Sequence, residues 1–153
     1  SRTVSGALDG KIALVTGAGR NIGRAIALGL ARDGAAVVVN GRGDRAAVDA
    51  VVAEIVALGG RAIGVLADVS DAPAVTRMVA AAEDAFGGID IAVSNAGLRR
   101  QTAFLDIPLA EWREILSVAL DGAFILAQAV VPSMIRRGGG AIVALSGIST
   151  HVG

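Results

Sequence analysis

The residues with the clearest chemical pattern are the glycines that follow the first apolar run of the chain. The run Ile12-Ala13-Leu14-Val15 leads into Thr16-Gly17-Ala18-Gly19-Arg20-Asn21-Ile22-Gly23, after which the sequence takes a helical period. Glycines let a backbone turn tightly and approach a pyrophosphate, and a helix N-terminus offers free N–H groups and the positive end of a dipole. A strand, a loop and a helix in this order predict a dinucleotide-binding loop. Its candidate binding residues are Gly17, Gly19, Arg20, Asn21, Ile22 and Gly23.

Two other interpretations of this loop are weaker, of which one stays open and the other is disfavoured. A glycine-rich turn without a ligand remains the structural alternative. A kinase-type P-loop is disfavoured, because the chain contains no Gly-Lys-Ser or Gly-Lys-Thr.

Polar or small residues also follow the second, third and fourth apolar runs. Parallel strands end at one edge of a sheet, so residues just after each strand are expected to line one cleft. Asp68 has a structural alternative as a turn or N-cap carboxylate before the next helix, and Asn95 has one as a turn former. The further cofactor-binding candidates at these strand ends are Asn40, Arg42, Asp68, Val69, Asn95, Ala96 and Gly97.

The end of the second strand argues for one cofactor over another. An acidic residue there binds the ribose 2′-hydroxyl of NAD, whereas an arginine accommodates the 2′-phosphate of NADP. This chain has Gly41 at that position and Arg42 next, with Arg20 in the loop across the crevice. Two guanidinium groups can clamp one phosphate, so the sequence predicts NADP, although Asp44 is close enough in sequence to neutralise Arg42. The lack of an acidic residue also disfavours a nucleotide-type methyltransferase.

The elements that must position these residues alternate regularly along the chain. The strands are predicted at 12–15, 36–39, 62–66, 89–93 and 141–145, and the helices at 21–33, 45–58, 72–86 and 109–137. A break in the last helix is expected near Pro132, because proline removes a backbone donor and clashes with the preceding turn. Short connections between such elements predict an α/β fold with a doubly wound, parallel, Rossmann-like sheet of five strands. We expect one dinucleotide-binding domain over residues 1–153.

Composition excludes several classes of protein. The chain has no Cys and one His, so a disulfide framework, a thiolate metal site and a histidine-rich metal site are all excluded, and no metal is expected. Its 14 basic and 14 acidic residues balance, which disfavours a nucleic-acid surface. The longest apolar stretch, 123–135, is shorter than a membrane span requires, and the N-terminus lacks the apolar segment of a secretory signal. These features predict a soluble, cytoplasmic protein.

Together the motifs resemble those of the short-chain dehydrogenases/reductases. The segment from Thr16 to Gly23 is similar to the family's Thr-Gly-x-x-x-Gly-x-Gly loop, with Asn21 in place of the middle glycine. Asp68-Val69 resembles the pair that holds the adenine, and Ser94-Asn95-Ala96-Gly97 resembles the family's Asn-Asn-Ala-Gly. The resemblance covers the whole chain but only the N-terminal part of a family member. It implies hydride transfer between NADP and a carbonyl or secondary alcohol, such as a ketoacyl or sugar-like substrate.

The catalytic positions that the resemblance implies are only partly present. The family uses a tyrosine, a lysine four residues later, a serine and an asparagine on the long helix, but this chain has no Tyr, and its one lysine, Lys11, starts the first strand. The family's serine position falls on Gly147, which leaves Ser146 as a displaced candidate, and the asparagine position falls on Ala119. We expect the chain to be a fragment that stops before the Tyr-x-x-x-Lys segment. A catalytically silent or atypical dinucleotide-binding module is the alternative.

Three further residues have weaker functional interpretations. His151 is the one imidazole and a candidate acid or base, although a surface role is the more common one. Arg99 and Arg100 follow the fourth strand, where they could attract an anionic substrate or simply be solvated.

The long helix carries more apolar residues than one sheet face needs. We therefore expect it to form a helix-to-helix subunit interface and the protein to be a homo-oligomer, as the resemblance also implies. The residues that suggest this interface are Trp112, Leu116, Leu120, Phe124 and Leu126.

Overall fold

The computed structural model describes residues 6–146. Gly147 and His151 lie outside the described residues, so their predicted roles are not addressed by the fold. The strands are β1 (Ile12–Val15), β2 (Ala36–Gly41), β3 (Ala62–Leu66), β4 (Ile91–Ser94) and β5 (Ala141–Ala144). The helices are α1 (Asn21–Arg32), α2 (Arg45–Ala57), α3 (Ala72–Phe86), α4 (Leu109–Leu116) and α5 (Gly122–Arg136).

The described strands form one parallel sheet in the order β3-β2-β1-β4-β5. From β1 the chain first moves outward through β2 and β3, then returns to the other side of β1 at β4. The strand order therefore reverses between β1 and β4, and their carboxyl ends, Val15 and Val93, lie side by side in register. This is the predicted doubly wound fold, and the reversal point is where such sheets bind ligands.

The sheet is covered on both faces by helices, which explains why its central strands lack polar alternation. Ala13 and Val15 of β1 pack into a cluster with α1 and α2, whereas Leu14 points to the other face and packs with α3 and α5. All four residues of β1 are buried. The apolar runs of the sequence therefore correspond to strands buried on both faces, as expected for a parallel sheet.

An ion pair closes the end of the sheet opposite the strands' carboxyl ends. Asp90, just before β4, accepts a hydrogen bond from the backbone N–H of Ile12 at 2.9 Å. Its two carboxylate oxygens also accept from Arg137, just after α5, at 2.8 and 3.1 Å. Burial alone raises the pKa of Asp90, but these donors outweigh burial and hold the pKa below its ordinary value. One carboxylate thus joins β1, β4 and the end of α5.

The long helix is interrupted at a different place from the one predicted. It does not end near Pro132, because α5 continues through that proline to Arg136. The irregularity is a π-helical turn at Ser117–Asp121, between α4 and α5. At its end Gly122 lies so close to Val69 that a Cβ on the glycine would be 2.7 Å from Val69 Cγ2. The change of helical pitch therefore falls where the helix packs directly against Val69, in the turn that follows β3.

The helical stretch Leu109–Arg136 is also longer than the apolar stretch recognised in the sequence. It has 28 residues and a mean hydropathy of 1.8 in its most apolar part, which is long and apolar enough to cross a membrane by length and composition alone. A core helix of a soluble protein meets the same criterion. One side of α5 does pack in the core, through Leu126, Val130 and Met134.

Candidate dinucleotide-binding site

A cleft of about 860 Å³ runs along the carboxyl edge of the sheet, from the end of β2 past β1 and β4 to the end of β5. Its volume lies within the range of cofactor sites. The structure brings together in its wall every cofactor-binding candidate from the sequence, along with Ser146 and Ala119. The predicted lining residues are Gly17, Gly19, Arg20, Asn21, Ile22, Gly23, Asn40, Arg42, Asp68, Val69, Asn95, Ala96 and Gly97.

The loop after β1 contains two residues in the left-handed backbone conformation. Gly17 has a φ of +60°, and Asn21 has a φ of +52°, the one described residue other than glycine with a positive value. Asparagine tolerates this left-handed conformation better than most residues, so the loop keeps its path without the glycine of the family pattern. Gly23 is required by contact, because a Cβ there would lie 2.1 Å from the carbonyl oxygen of Gly17.

The N-terminus of α1 differs from the N-termini of α2 and α3. Asp44 caps α2 by accepting from Ala47 N–H at 3.0 Å, and Asp71 caps α3 by accepting from Ala74 N–H at 3.3 Å. The N-cap of α1 is Arg20, which makes no side-chain capping bond, and the first turn of this helix has no acidic residue. Uncapped N–H groups facing a cleft are suited to an anion, so this helix end fits the pyrophosphate of a dinucleotide.

Asn95 connects the end of β4 to the loop. Its side-chain amide donates to the carbonyl oxygens of Thr16 and Gly17 at 3.2 and 3.1 Å. The Thr16 hydroxyl in turn accepts from the backbone N–H groups of Asn95 and Ala96, both at 3.0 Å. Asn95 therefore lines the cleft and holds its wall in place, which combines the two roles that the sequence left open.

Asn40 has its side-chain polar atoms committed to the backbone. It is buried, and its Oδ1 accepts from Gly17 N–H at 3.3 Å. Its Nδ2 donates to the carbonyl oxygens of Val65 and Ala67, each at 3.2 Å. Asn40 was predicted as a cofactor-binding residue; in the structure its side chain joins β1, β2 and β3 beneath the loop. No local sequence pattern indicates this role, since the partners of Asn40 come from distant segments.

Asp68 is placed at a corner of the cleft by the turn after β3. Its Oδ1 accepts from the Ser70 hydroxyl at 2.7 Å and from the Ser70 N–H at 2.9 Å, and its Oδ2 lies 3.3 Å from Arg42. The bonds from Ser70 and the charge of Arg42 hold the pKa of Asp68 below its usual range, against a smaller opposing effect of burial. The cap of α3 is Asp71, so the N-cap alternative for Asp68 is not what the structure shows.

The two arginines flank this corner, each paired with carboxylates. Arg20 lies 2.8 Å from Asp44, so the expectation that Asp44 could neutralise Arg42 was wrong. Asp44 is held as the cap of α2, and that position faces the loop that carries Arg20. Arg42 is instead paired with Asp68 and, at 3.8 Å, with Glu114 of α4. The pairing of Glu114 with Arg42 is not predictable from the sequence, because no local pattern links residues so far apart along the chain.

These ion pairs leave the guanidinium groups available to a ligand. The Arg20 side chain is 67% exposed and the Arg42 side chain 50% exposed. Exposed ion pairs contribute only about 0–1 kcal/mol, less than the charge-assisted, forked hydrogen bonds that a phosphate offers to arginine. The donor set at this end of the cleft therefore fits a phosphorylated ribose. Among residues 6–146, no group of three or more His, Asp or Glu side chains is arranged to hold a metal.

The other end of the cleft contains the candidate catalytic positions. Ser146 follows β5 and supplies a hydroxyl, whereas Ala119, in the π-helical turn, supplies only a methyl group. Arg99 also lines this part of the wall, and Arg100 instead pairs with Glu114 at 3.4 Å. Ser146 thus contributes a hydroxyl and Arg99 a cation to the wall of the same cleft.

Comparisons with known proteins agree with this geometry. The short chain dehydrogenase family profile matches residues 11–153. The chain is 42% identical to a 3-oxoacyl-[acyl-carrier-protein] reductase of Synechocystis sp., covering 96% of this chain and 60% of the relative. It is 46% identical to an L-rhamnose 1-dehydrogenase (NAD(P)(+)) of Sphingomonas sp., covering 95% and 58%. A solved short-chain type dehydrogenase/reductase from Mycobacterium marinum superposes with a TM-score of 0.89 at 40% identity, covering 95% of this chain and 59% of that one. The chain thus spans about three fifths of the length of these relatives.

Proposed function

This chain belongs to the short-chain dehydrogenase family, and from that membership we propose that it is the cofactor-binding part of an NADP-dependent oxidoreductase. When bound, the reduced cofactor would supply a hydride, which is one proton with two electrons, to a carbonyl carbon, and the oxidised cofactor would take one from a secondary alcohol. The carbonyl oxygen gains a proton in the first direction, and the alcohol loses one in the second. Relatives named as 3-oxoacyl reductases and rhamnose dehydrogenases support a ketoacyl or sugar-like substrate class.

The preference for NADP rests on one observation, the pair of exposed arginines beside the end of β2. Gly41 occupies the position where an acidic residue would bind an unphosphorylated ribose and repel a phosphate. Arg42 follows it, and Arg20 comes from the loop on the other side of the crevice. Arginine binds phosphate through two parallel hydrogen bonds, so the two side chains can hold a 2′-phosphate between them.

The chain's own residues would act on cofactor and substrate at different points. The uncapped N–H groups of α1 bind the pyrophosphate, and Asp68 with Val69 borders the adenine. Ser146, which lines the cleft, would donate a hydrogen bond to the substrate oxygen as charge develops there. Because these 153 residues contain no tyrosine, a tyrosine proton donor would have to come from outside them.

A second candidate function is a dinucleotide-binding module without turnover, and Ala119 favours it. A methyl group at the wall of the cleft can neither hold a water nor pass on a proton. Reduction of a 3-oxoacyl or sugar-like substrate, followed by the absorbance of NADPH, separates the two candidates. Cofactor binding without any substrate-dependent oxidation of NADPH would favour the silent module.

Two further parts of the proposal concern the molecule's surroundings. We propose that the protein is cytoplasmic, and that it forms a homo-oligomer through the exposed face of α4 and α5. The apolar side chains on that face support the second statement.

Cofactor preference is tested by titrating the polypeptide that carries this sequence with NADPH and with NADH. We expect NADPH to bind the more tightly. We expect Arg42→Gln to weaken NADPH binding by about tenfold, because a charge-assisted hydrogen bond contributes about 1.5–3 kcal/mol, while NADH binding changes little.

The matched control is Arg136→Gln, which removes the same charge at the end of α5, away from the cleft. It should leave both affinities unchanged. Equal affinities for the two cofactors, or an equal loss of both in Arg42→Gln, would contradict the preference for NADP.

A further inference from the structure

Glu114 of α4 occupies a position that the proposed chemistry does not use. Its side chain is about half-exposed, and its Oε1 lies between two guanidinium groups, 3.8 Å from Arg42 and 3.4 Å from Arg100. These separations exceed the 2.7–2.9 Å of a tight charge-assisted hydrogen bond. Glu114 therefore acts on Arg42 mainly through its charge.

We propose that Glu114 is a specificity-determining residue that lowers the affinity for a 2′-phosphorylated dinucleotide and so narrows the preference for NADP over NAD. It does so by competing with the phosphate for Arg42. This inference rests on the proposed function, since it assumes that Arg42 is the phosphate ligand.

The two carboxylates that share Arg42 are not equivalent. Asp68 is held in place by two hydrogen bonds from Ser70, so its charge is a fixed part of the corner of the cleft where we propose that the adenine binds. Glu114 instead accepts a longer hydrogen bond, at 3.4 Å from Arg100, and approaches Arg42 from another element, α4. Removing the charge of Glu114 therefore alters the surroundings of Arg42 while leaving the turn that carries Asp68 intact.

The sign of the effect follows from the charges. A phosphate bound by Arg42 adds negative charge beside a carboxylate that already faces the same guanidinium, and the two repel each other. An unphosphorylated ribose adds no charge there, so Glu114 should leave its binding nearly unchanged. For exposed groups a few ångströms apart, one unit charge acting on a phosphate corresponds to a change of about fivefold in affinity.

Arg100 provides a test of opposite sign. Its guanidinium compensates part of the negative charge of Glu114. Removing the positive charge of Arg100 should therefore leave Glu114 more strongly repulsive and weaken the binding of a 2′-phosphate by about twofold. If the two substitutions acted only through side-chain shape or disturbed folding, they would not change the affinity for NADPH in opposite directions.

The experiment measures dissociation constants for NADPH and NADH, by fluorescence titration, in the wild type, Glu114→Gln and Arg100→Gln. The control is Glu83→Gln, which removes a half-exposed carboxylate of α3 that is also paired with an arginine, Arg136. We expect about fivefold tighter NADPH binding in Glu114→Gln and about twofold weaker binding in Arg100→Gln, with unchanged NADH binding. The gain in Glu114→Gln should shrink as the salt concentration rises. Glu83→Gln should match the wild type.

The outcomes separate the two proposals. If the wild type binds neither cofactor, the proposed function fails, and the inference fails with it. If the wild type prefers NADPH but Glu114→Gln leaves the ratio of the two dissociation constants unchanged, the inference alone is overturned. If Glu114→Gln unfolds at a much lower temperature than the wild type, Glu114→Ala is measured in the same titration. An unchanged ratio of the NADPH and NADH dissociation constants in that variant also overturns the inference.

Discussion

At the scale of single residues, the charge of Asp90 connects several elements of the fold. It is buried at the start of β4 and binds both Ile12 of β1 and Arg137 beyond α5. Breaking a buried ion pair costs more than breaking an exposed one, because the remaining partner keeps its desolvated charge. Asp90 therefore stabilises the junction of three elements rather than one contact.

We expect Asp90→Asn to lower the free energy of unfolding by about 2–3 kcal/mol at pH 7, measured by urea denaturation. The pKa of Asp90 is lowered in the folded state, so its contribution is fully present above the unfolded pKa of about 3.9 and is lost as pH falls through the folded value. The difference between variant and wild type should therefore shrink below about pH 4. Asp49→Asn, which breaks the exposed pair with Arg45, should change stability by no more than about 0.5 kcal/mol. A pH-independent effect of Asp90→Asn would contradict this account.

The types of residue that follow each strand indicated where the cleft lies. They did not indicate which side chains form hydrogen bonds or ion pairs around it. The glycines of the loop, Arg42 and Asp68 could be found from the sequence, because each directly follows a recognisable strand. The buried role of Asn40 and the pairing of Glu114 with Arg42 could not, since they depend on residues brought together only by the sheet and by α4. Likewise Leu126, predicted at the interface, is fully buried in the core, because it lies on the side of α5 that faces the sheet.

At the scale of elements, the position of α1 depends on how closely it can approach the loop before it. Gly23 lies in the first turn of α1 against the carbonyl oxygen of Gly17, and a Cβ there would also lie 2.5 Å from Asn95 Nδ2. A side chain at Gly23 therefore has to move the helix, the loop or Asn95. Each of these forms part of the cleft wall.

We expect Gly23→Ala to destabilise the protein by about 2 kcal/mol and to weaken NADPH binding at least tenfold, because overpacking displaces the backbone that we propose to bind the pyrophosphate. Gly29→Ala is a matched control in the same helix, since a Cβ there meets no atom within 4 Å. It should stabilise the protein by about 0.5–1 kcal/mol through helix propensity and leave binding unchanged. Thermal unfolding and NADPH titration of both variants check this. Similar effects of the two substitutions would show that close packing at Gly23 does not matter.

The order and type of the elements were predictable, because the spacing of apolar residues along the chain reflects which faces of each strand or helix are buried. Strands β1 and β3 and helix α3 have the predicted bounds, and each of the other elements shifts by one or two residues at one or both ends. The π-helical turn was not predictable, since Ser117–Asp121 has no distinctive composition, whereas Pro132 carries a strong local signal for a break that the helix does not show. Packing of Gly122 against Val69 offers a tertiary reason that no local pattern contains.

At the scale of the whole molecule, the described residues leave a broad apolar surface uncovered on α4 and α5. Trp112, Leu120 and Phe124 are each more than half exposed, and the turn before α4 adds Phe104 and Leu105. Several large exposed apolar side chains on one helical stretch favour an interaction site there. The same helical stretch meets the length and hydropathy of a membrane span, so association with a second copy and association with a lipid bilayer are distinct explanations.

We expect the double substitution Leu120→Asp with Phe124→Asp to convert an oligomer into monomers at micromolar concentration, measured by light scattering coupled to size exclusion. Two charges in an apolar interface are desolvated without partners, a cost of several kcal/mol, whereas in the monomer both side chains point into water. The control Leu58→Asp places a charge at another leucine that is more than half exposed, at the end of α2, and should leave the oligomer intact. A wild type that is monomeric in solution but sediments with phosphatidylcholine vesicles would exclude the helix-to-helix interface and assign this face to a bilayer. An oligomer that survives both aspartates would place the subunit contact on another face of the molecule.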